Sequence, residues 1–269
     1  MDEVFRLEGV GFSYAGRPAL KGIGFRVHRG ASLAILGANG SGKSTLLKML
    51  DGLVFPEAGS ILFGGQPLTE AALKGGFLRS FRSKVGFVFA EPDSQLFCPT
   101  VREELSFGPL QLGMRPDDVE KRVSELLDML GIRALGDRAP YTLSGGEKKK
   151  TAIGAVLAVN PEVLLLDEPT NGLDPRTQVW LYELLEALKA GGKTIIMATH
   201  DLSLVQDLSG HAIVLDEAHT IAANGTAQEV LGDKDLLLRA NIIHEHAHRH
   251  GNIIHAHSHG PYSIHDEHN

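Results

Sequence analysis

Gly37-Ala-Asn-Gly-Ser-Gly-Lys-Ser44 is the stretch on which the reading of this chain turns, because it satisfies the pattern G-x-x-x-x-G-K-[ST]. An apolar run at 33–36 precedes it and a helix-forming stretch at 45–50 follows. Strand, glycine loop and helix in that order wrap the backbone so that successive N–H groups point inward, with the positive end of the helix facing the same space. Such a cradle binds phosphate oxygens. The expected contacts run from Gly37, Ala38, Asn39, Gly40, Ser41 and Gly42 to Lys43, whose ammonium reaches the β and γ phosphates. Ser44 offers its hydroxyl to Mg²⁺, with Thr45 beside it. A glycine-rich turn with an incidental lysine is the plainer alternative, and the flanking strand and helix argue against it.

Further along, Val163-Leu-Leu-Leu-Asp167-Glu168 is an apolar run ending in two acids, at the sheet edge where the phosphate loop also belongs. Solvated charge at a strand end would account for the pair on its own. In a phosphate-loop protein the two divide the work: Asp167 supports Mg²⁺, through water, and Glu168 accepts a proton from the attacking water.

The apolar runs at 33–36, 163–166, 195–198 and 213–215 are contiguous, as strands buried on both faces are, and helical stretches alternate with them. An α/β fold with a largely parallel sheet is expected. The opening segment instead alternates and turns, at 4–7, 11–14 and 23–27, with another strand-like piece at 60–63, which predicts an antiparallel β subdomain beside the core. Val119, Val123, Leu126, Leu127 and Leu130 recur at helical spacing within 116–131, predicting a helical insertion.

Composition narrows the function. With 33 acidic against 26 basic residues the net charge is −7, which argues against non-specific nucleic-acid binding. No apolar run approaches the roughly 20 residues of a spanning helix, so a membrane role depends on a partner. Met1-Asp2-Glu3 opens without a secretory pattern and the single Cys98 cannot form an internal disulfide, so a cytosolic setting is expected.

Leu143-Ser-Gly-Gly-Glu147 lies between the glycine loop and the paired acids. Ser144 and the amides of Gly145 and Gly146 open a helix running through 148–158, a second anion site. In this position the segment resembles the signature of ABC ATPases, with Glu147 where glutamine is commoner. The resemblance spans about 3–240 and implies an ABC-type fold of parallel core, antiparallel β subdomain and helical subdomain. It also implies that Ser144, Gly145, Gly146 and Glu147 face ATP held by a second ATPase subunit, two like chains pairing head to tail. Tyr14 falls where ABC ATPases place an aromatic against adenine. Asp174, in Asn171-Gly-Leu-Asp-Pro175, resembles the loop that communicates across the dimer, and His200, in Ala-Thr-His-Asp, resembles the switch histidine at the γ phosphate. Taken singly, these would read as a core aromatic, an Asp-Pro turn and a structural histidine. One position departs from the family: where ABC ATPases carry a glutamine that reaches Mg²⁺ and links nucleotide to membrane partner, this chain has Ala90. Either hydrolysis or coupling is impaired, or Glu91 or Gln95 stands in.

Finer texture comes from Pro92-Asp-Ser-Gln95-Leu-Phe, Thr100-Val-Arg-Glu-Glu-Leu-Ser-Phe-Gly108, Leu143-Ser-Gly-Gly-Glu-Lys-Lys-Lys150 and Glu168-Pro-Thr-Asn-Gly-Leu-Asp-Pro175. These resemble the ATPase subunit of cobalt and nickel importers of the energy-coupling-factor type, implying integral membrane transport subunits as partners and a peripheral place on the cytoplasmic side of the membrane. Nine of the 13 histidines follow residue 240, at 244, 246, 248, 250, 255, 257, 259, 265 and 268, so 241–269 reads as a separate, aperiodic and flexible tail after an ATPase domain at 1–240. His244, His246, His248, His250, His255, His257 and His259 alternate with other residues, a spacing that lets imidazoles converge on Ni²⁺ or Co²⁺. A solvated low-complexity tail or a purification tag would also be histidine-rich, but tags carry consecutive histidines. The rival functions are a soluble ABC ATPase acting on DNA or ribosomes, and a metal buffer carrying a degenerate ATPase.

Overall fold

The structure, a computed structural model, describes residues 2–250 and 253–259, with side chains described through Ile243. Its strands are β1 Glu3–Tyr14, β2 Arg17–His28, β3 Ser32–Gly37, β4 Ala58–Phe63, β5 Gln66–Pro67, β6 Val85–Val88, β7 Val163–Asp167, β8 Thr194–Ala198, β9 His211–Leu215, β10 Ile221–Thr226, β11 His244–His250 and β12 Ile253–His259. The helices are α1 Lys43–Leu50, α2 Gly75–Lys84, α3 Val101–Gln111, α4 Pro116–Met129, α5 Gly145–Leu157, α6 Pro175–Ala190, α7 Leu202–Leu208, α8 Ala227–Gly232 and α9 Lys234–Arg239.

Contiguous apolar runs make the central sheet, of order β10-β9-β3-β8-β7-β6, in which every neighbouring pair from β9 to β6 is parallel and β10 is antiparallel. Strand alternation sorts their side chains into two cores. Leu33, Ile35, Leu165, Ile196 and Ile213 join the core built with β1, β2, β4 and α1. Their neighbours Ala34, Leu36, Leu166, Met197 and Val214 join the core under α3 to α9. Burial on both faces is therefore the reason these strands lack polar alternation.

The antiparallel sheet has order β2-β1-β4-β5. Two short strands expected at 4–7 and 11–14 are one strand, β1, whose register against β2 shifts between Leu7 and Val10, where Gly9 sits at φ 60°. A bulge carries the chain through a glycine that reads as a break. Between β6 and β7, α3, α4 and α5 form the helical insertion; α4 buries Val119, Val123, Leu126 and Leu127, the face its spacing predicts.

The packed body reaches past residue 240, since Ile242 and Ile243 are buried in the same core as Leu236 and Leu237. Beyond it, where the sequence suggests no regular structure, the backbone forms a β11–β12 hairpin that sets His244 opposite His259, His246 opposite His257 and His248 opposite His255. The side chains of those residues, with His250, lie outside the described residues, as do residues 265 and 268 altogether. Among the described residues no helix is long and apolar enough to cross a membrane.

Candidate nucleotide site

Parallel strands β3, β7 and β8 end side by side, and the functional side chains hang from those ends. Gly37 closes β3 and residues 38–42 carry the chain into α1, whose N-cap is Gly42 at φ 111°. A Cβ at Gly42 would run into the Ala19 carbonyl and Leu20, so the cradle closes only with glycine there. The Lys43 side chain folds along the loop, its Nζ donating to Gly37 O at 2.8 Å and Ala38 O at 3.1 Å. Burial pulls the Lys43 pKa below its usual value, against the opposing pull of Glu168 and Asp167. Ser44 Oγ donates to Asp167 Oδ1 at 2.9 Å across the β3 and β7 ends. Burial raises the Asp167 carboxyl, partly offset by the Ser44 hydroxyl and Lys43.

Glu168 follows β7 with its φ at 42°, a left-handed conformation uncommon outside glycine, and its N–H donates to Ala198 O at 2.8 Å. That backbone bond ties it to the end of β8, from which His200 comes. His200 Nδ1 and Glu168 Oε2 are 2.7 Å apart, while Lys43 Nζ and Glu168 Oε1 are 3.8 Å apart.

Tyr14, Arg17, Asn39, Gly40, Gly42, Lys43, Ser44, Thr45 and Glu168 are among the residues lining one cleft of about 430 Å³. Tyr14 lines this cleft about half exposed and meets Phe12 edge to face, ring centroids 4.8 Å apart. Ser41 is buried and is not part of the lining, and Gly37 and Ala38 contribute carbonyls to Lys43 rather than cleft lining. Arg17 was missed in the sequence; its signal was its place at the start of β2, paired with Tyr14 across the turn.

The signature segment lies apart from this cleft and lines none of it. Ser144 caps α5 in a reciprocal box: its hydroxyl accepts from Glu147 N at 3.4 Å, and Glu147 Oε2 accepts from Ser144 N at 2.8 Å and Ser144 Oγ at 2.9 Å. The Ser144 backbone N–H holds the Glu147 carboxyl below its usual range. A carboxylate at 147 is thus a cap that stabilises the helix start. Ser144 and Gly145 are exposed. Asp174 caps α6, accepting from Thr177 N at 3.1 Å and Thr177 Oγ1 at 2.7 Å, and it stands beside Gly146.

Ala90 ends the segment after β6. Of its two candidate substitutes, Gln95 spends its amide on the strand end, accepting from Phe89 N at 3.0 Å and donating to Phe87 O at 3.2 Å, while Glu91 is exposed. Lys148 and Lys149 enter the sequence reading only as part of the matching segment 143–150, with no role of their own; Lys148 pairs with Asp93 at 2.6 Å and Lys149 is buried.

A backbone cradle, a lysine, a hydroxyl beside an acid and a second acid at adjoining parallel strand ends can hold a triphosphate and activate water at its end. Ser44 Oγ with Asp167 Oδ1 is an all-oxygen pair suited to a hard cation such as Mg²⁺, with substrate phosphates supplying the rest. That arrangement defines a phosphate-loop nucleoside-triphosphate hydrolase. Residues 20–171 match the ABC transporter family, and the chain belongs to it. It is an ATP-binding subunit of an ABC transporter, which binds ATP and couples its hydrolysis to transport. It is 53% identical over 256 residues to a Methanosarcina acetivorans protein with only the general name of ABC transporter ATP-binding protein, covering 93% of each. Over 247 residues it is 48% identical to the nickel import ATP-binding protein NikO of Rhodobacter capsulatus, covering 90% of this chain and 97% of that one. Its fold is similar to that of cbiO1 from Clostridium perfringens, part of the transporter complex cbiONQ, at a TM-score of 0.75 and 37% identity over 90% of this chain and 96% of that one.

Proposed function

We propose that this chain powers uptake of a transition-metal ion, nickel or cobalt, working as a pair of like ATPase subunits against integral membrane subunits on the cytoplasmic side of the membrane. The observation that carries the catalytic part is the placement of Glu168 between His200 and Lys43, one carboxylate oxygen toward each. The glycine loop and Lys43 hold the β and γ phosphates of ATP, with Tyr14 against the adenine. Water attacks the γ phosphorus, the bond to the bridging oxygen breaks, and Glu168 takes a proton from the water, leaving ADP and phosphate. His200 orients the Glu168 carboxylate and contacts the γ phosphate. Ser44 and Asp167 would hold Mg²⁺, which when bound would offset the negative charge of the phosphates.

Pairing is supported by the exposed start of α5. Ser144, Gly145 and Gly146 form a helix N-terminus of the kind that binds anions, yet their own cleft lies elsewhere, so a second chain's ATP is the fitting ligand. Asp174, beside Gly146, sits where the two chains would meet. The cargo is supported by likeness to NikO and cbiO1 and by the tail, where backbone register sets three histidine positions opposite three others. Histidines at these positions, 244 with 259, 246 with 257 and 248 with 255, suit Ni²⁺ and Co²⁺.

The test is uptake. Cells expressing this chain with its membrane partners should accumulate added Ni²⁺ or Co²⁺, and the Glu168→Gln form should not. Vigorous ATP hydrolysis with neither metal taken up would remove the cargo assignment and leave the ATPase.

A further inference from the structure

Lys149 is 1% exposed, one of the largest fully buried side chains among the described residues, and no role has been given to it above. Taking an ammonium out of water is costly unless its donors are met and opposite charge is near. Its Nζ donates to the Ala90 carbonyl at 2.9 Å and to the Phe89 carbonyl at 3.4 Å. Burial pulls the Lys149 pKa below its usual value, against the opposing pull of Glu91, Asp167 and Glu168.

Strand geometry explains the convergence. β6 runs parallel to β7 with Val88 opposite Leu166, so the chain leaves β6 at residues 89 and 90 from the same sheet edge at which β7 ends in Asp167. Helix α5 lies directly on β6, where Gly86 faces Val156 so closely that a Cβ would collide. From that helix Lys149 reaches the strand end, and its neighbour Lys148 pairs with Asp93 at 2.6 Å. One helix, opened by Ser144, therefore grips residues 89–93 at two points.

We infer that Lys149 is a positioning residue for ATP hydrolysis, tying helix α5 to the strand end at Ala90 and setting an ammonium behind Asp167 and Glu168. The inference rests on the roles proposed above for those two acids. It also gives a physical account of residue 90: the segment is held through its backbone carbonyl, which every residue has, so an alanine there does not release it.

The experiment compares Lys149→Met, which keeps length without charge, with Lys149→Arg, which keeps charge and donors, and with Glu168→Gln, all in the full chain. Steady-state ATPase assays and melting curves are recorded for each. The Met form should lose about tenfold or more in kcat with its KM for ATP within about twofold of parental, and the Arg form should recover most of that loss. Should the Met form fail to fold, Lys149→Gln, which keeps an N–H donor, is expected to show the same kcat loss at unchanged KM. A parental kcat without the lysine charge, beside a slow Glu168→Gln, overturns the inference alone. Equal losses in the Met and Arg forms with lowered melting midpoints would make Lys149 a packing residue and overturn it too. A parental rate in Glu168→Gln would overturn the reading of the acids and this inference with it.

Discussion

His200 Nδ1 lies 2.7 Å from Glu168 Oε2, and this contact joins the ends of two strands that are neighbours in the parallel sheet, β7 and β8. The backbone repeats the link, Glu168 N donating to Ala198 O at 2.8 Å. The carboxylate is consequently aimed by the core sheet itself rather than by a loose loop, which is the condition for it to meet a water at one defined place.

Glu168→Gln keeps the shape and hydrogen bonding at that position but removes the proton acceptor. ATP should still bind through Lys43 and the glycine loop, while hydrolysis falls by about 10² to 10⁴-fold, or roughly 3 to 5 kcal/mol of barrier. An ATP-closed dimer should accumulate, visible by size-exclusion chromatography with ATP and Mg²⁺, and phosphate release should report the rate. An unchanged rate would take Glu168 out of the mechanism, and loss of ATP binding would make its role structural.

Ala90→Gln tests whether an amide is missed at the β6 end. The site is half-buried and its carbonyl already holds Lys149, so the added side chain should extend without disturbing that bond. The expected outcome is a modest gain, about two- to tenfold, in kcat or in coupling to the membrane subunits. Unaltered values in both assays would mean that the carbonyl tether suffices.

Asp51 offers a pH signature remote from the chemistry. It caps α1 and accepts from Arg82 Nη1 at 2.8 Å, yet burial dominates and pushes its carboxyl up to about 6 from 3.8. The folded state therefore binds a proton more tightly than the unfolded chain does. Stability from this group is fully present below about pH 4 and is lost as pH rises through about 6, a change of up to about 3 kcal/mol. Urea unfolding of Asp51→Asn between pH 4 and 6 should show a flatter dependence than the parental chain. The same slope in both would assign it to other groups.

The histidine tail should bind metal without serving hydrolysis. A chain ending at Ile243 keeps the buried Ile242 and Ile243 and removes the β11–β12 hairpin. Titrated with Ni²⁺ and Co²⁺, the full chain should bind at least one ion tightly and the shortened chain should not, while their ATPase rates agree within about twofold. Equal metal binding would dismiss the tail as the site; a collapse of ATPase activity in the folded shortened chain would make it part of the catalytic machine.

Much of this was legible in the sequence because its signals are local. The glycine loop needs eight consecutive residues, and strands buried on both faces announce themselves as unbroken apolar runs at 33–36 and 163–166. What stayed hidden depends on pairing between distant segments. Gly9 looks like a break until β2 lies alongside and a bulge absorbs it. Lys149 is only the middle of three lysines in a matching segment until α5 rests on β6 and turns it inward. Gln95 reads as a candidate ligand until the strand end claims its amide. Glu147 reads as an exception until its carboxylate closes the cap with Ser144.

The left-handed turn at Glu168, with φ at 42°, sets two demands on one residue against each other. A non-glycine residue there carries about 1–3 kcal/mol of backbone strain, which a glycine would relieve at the lesser expense of a freer unfolded chain. Glu168→Gly should thus hydrolyse almost no ATP, while the strain it relieves offsets part of what the lost contacts with His200 and the buried Lys43 cost in stability, which makes position 168 a point of trade between durability and turnover. In a copy of this gene relieved of the need to turn over ATP, backbone strain at 168 would press for glycine, and only the carboxylate's contacts with His200 and Lys43 would press for the glutamate.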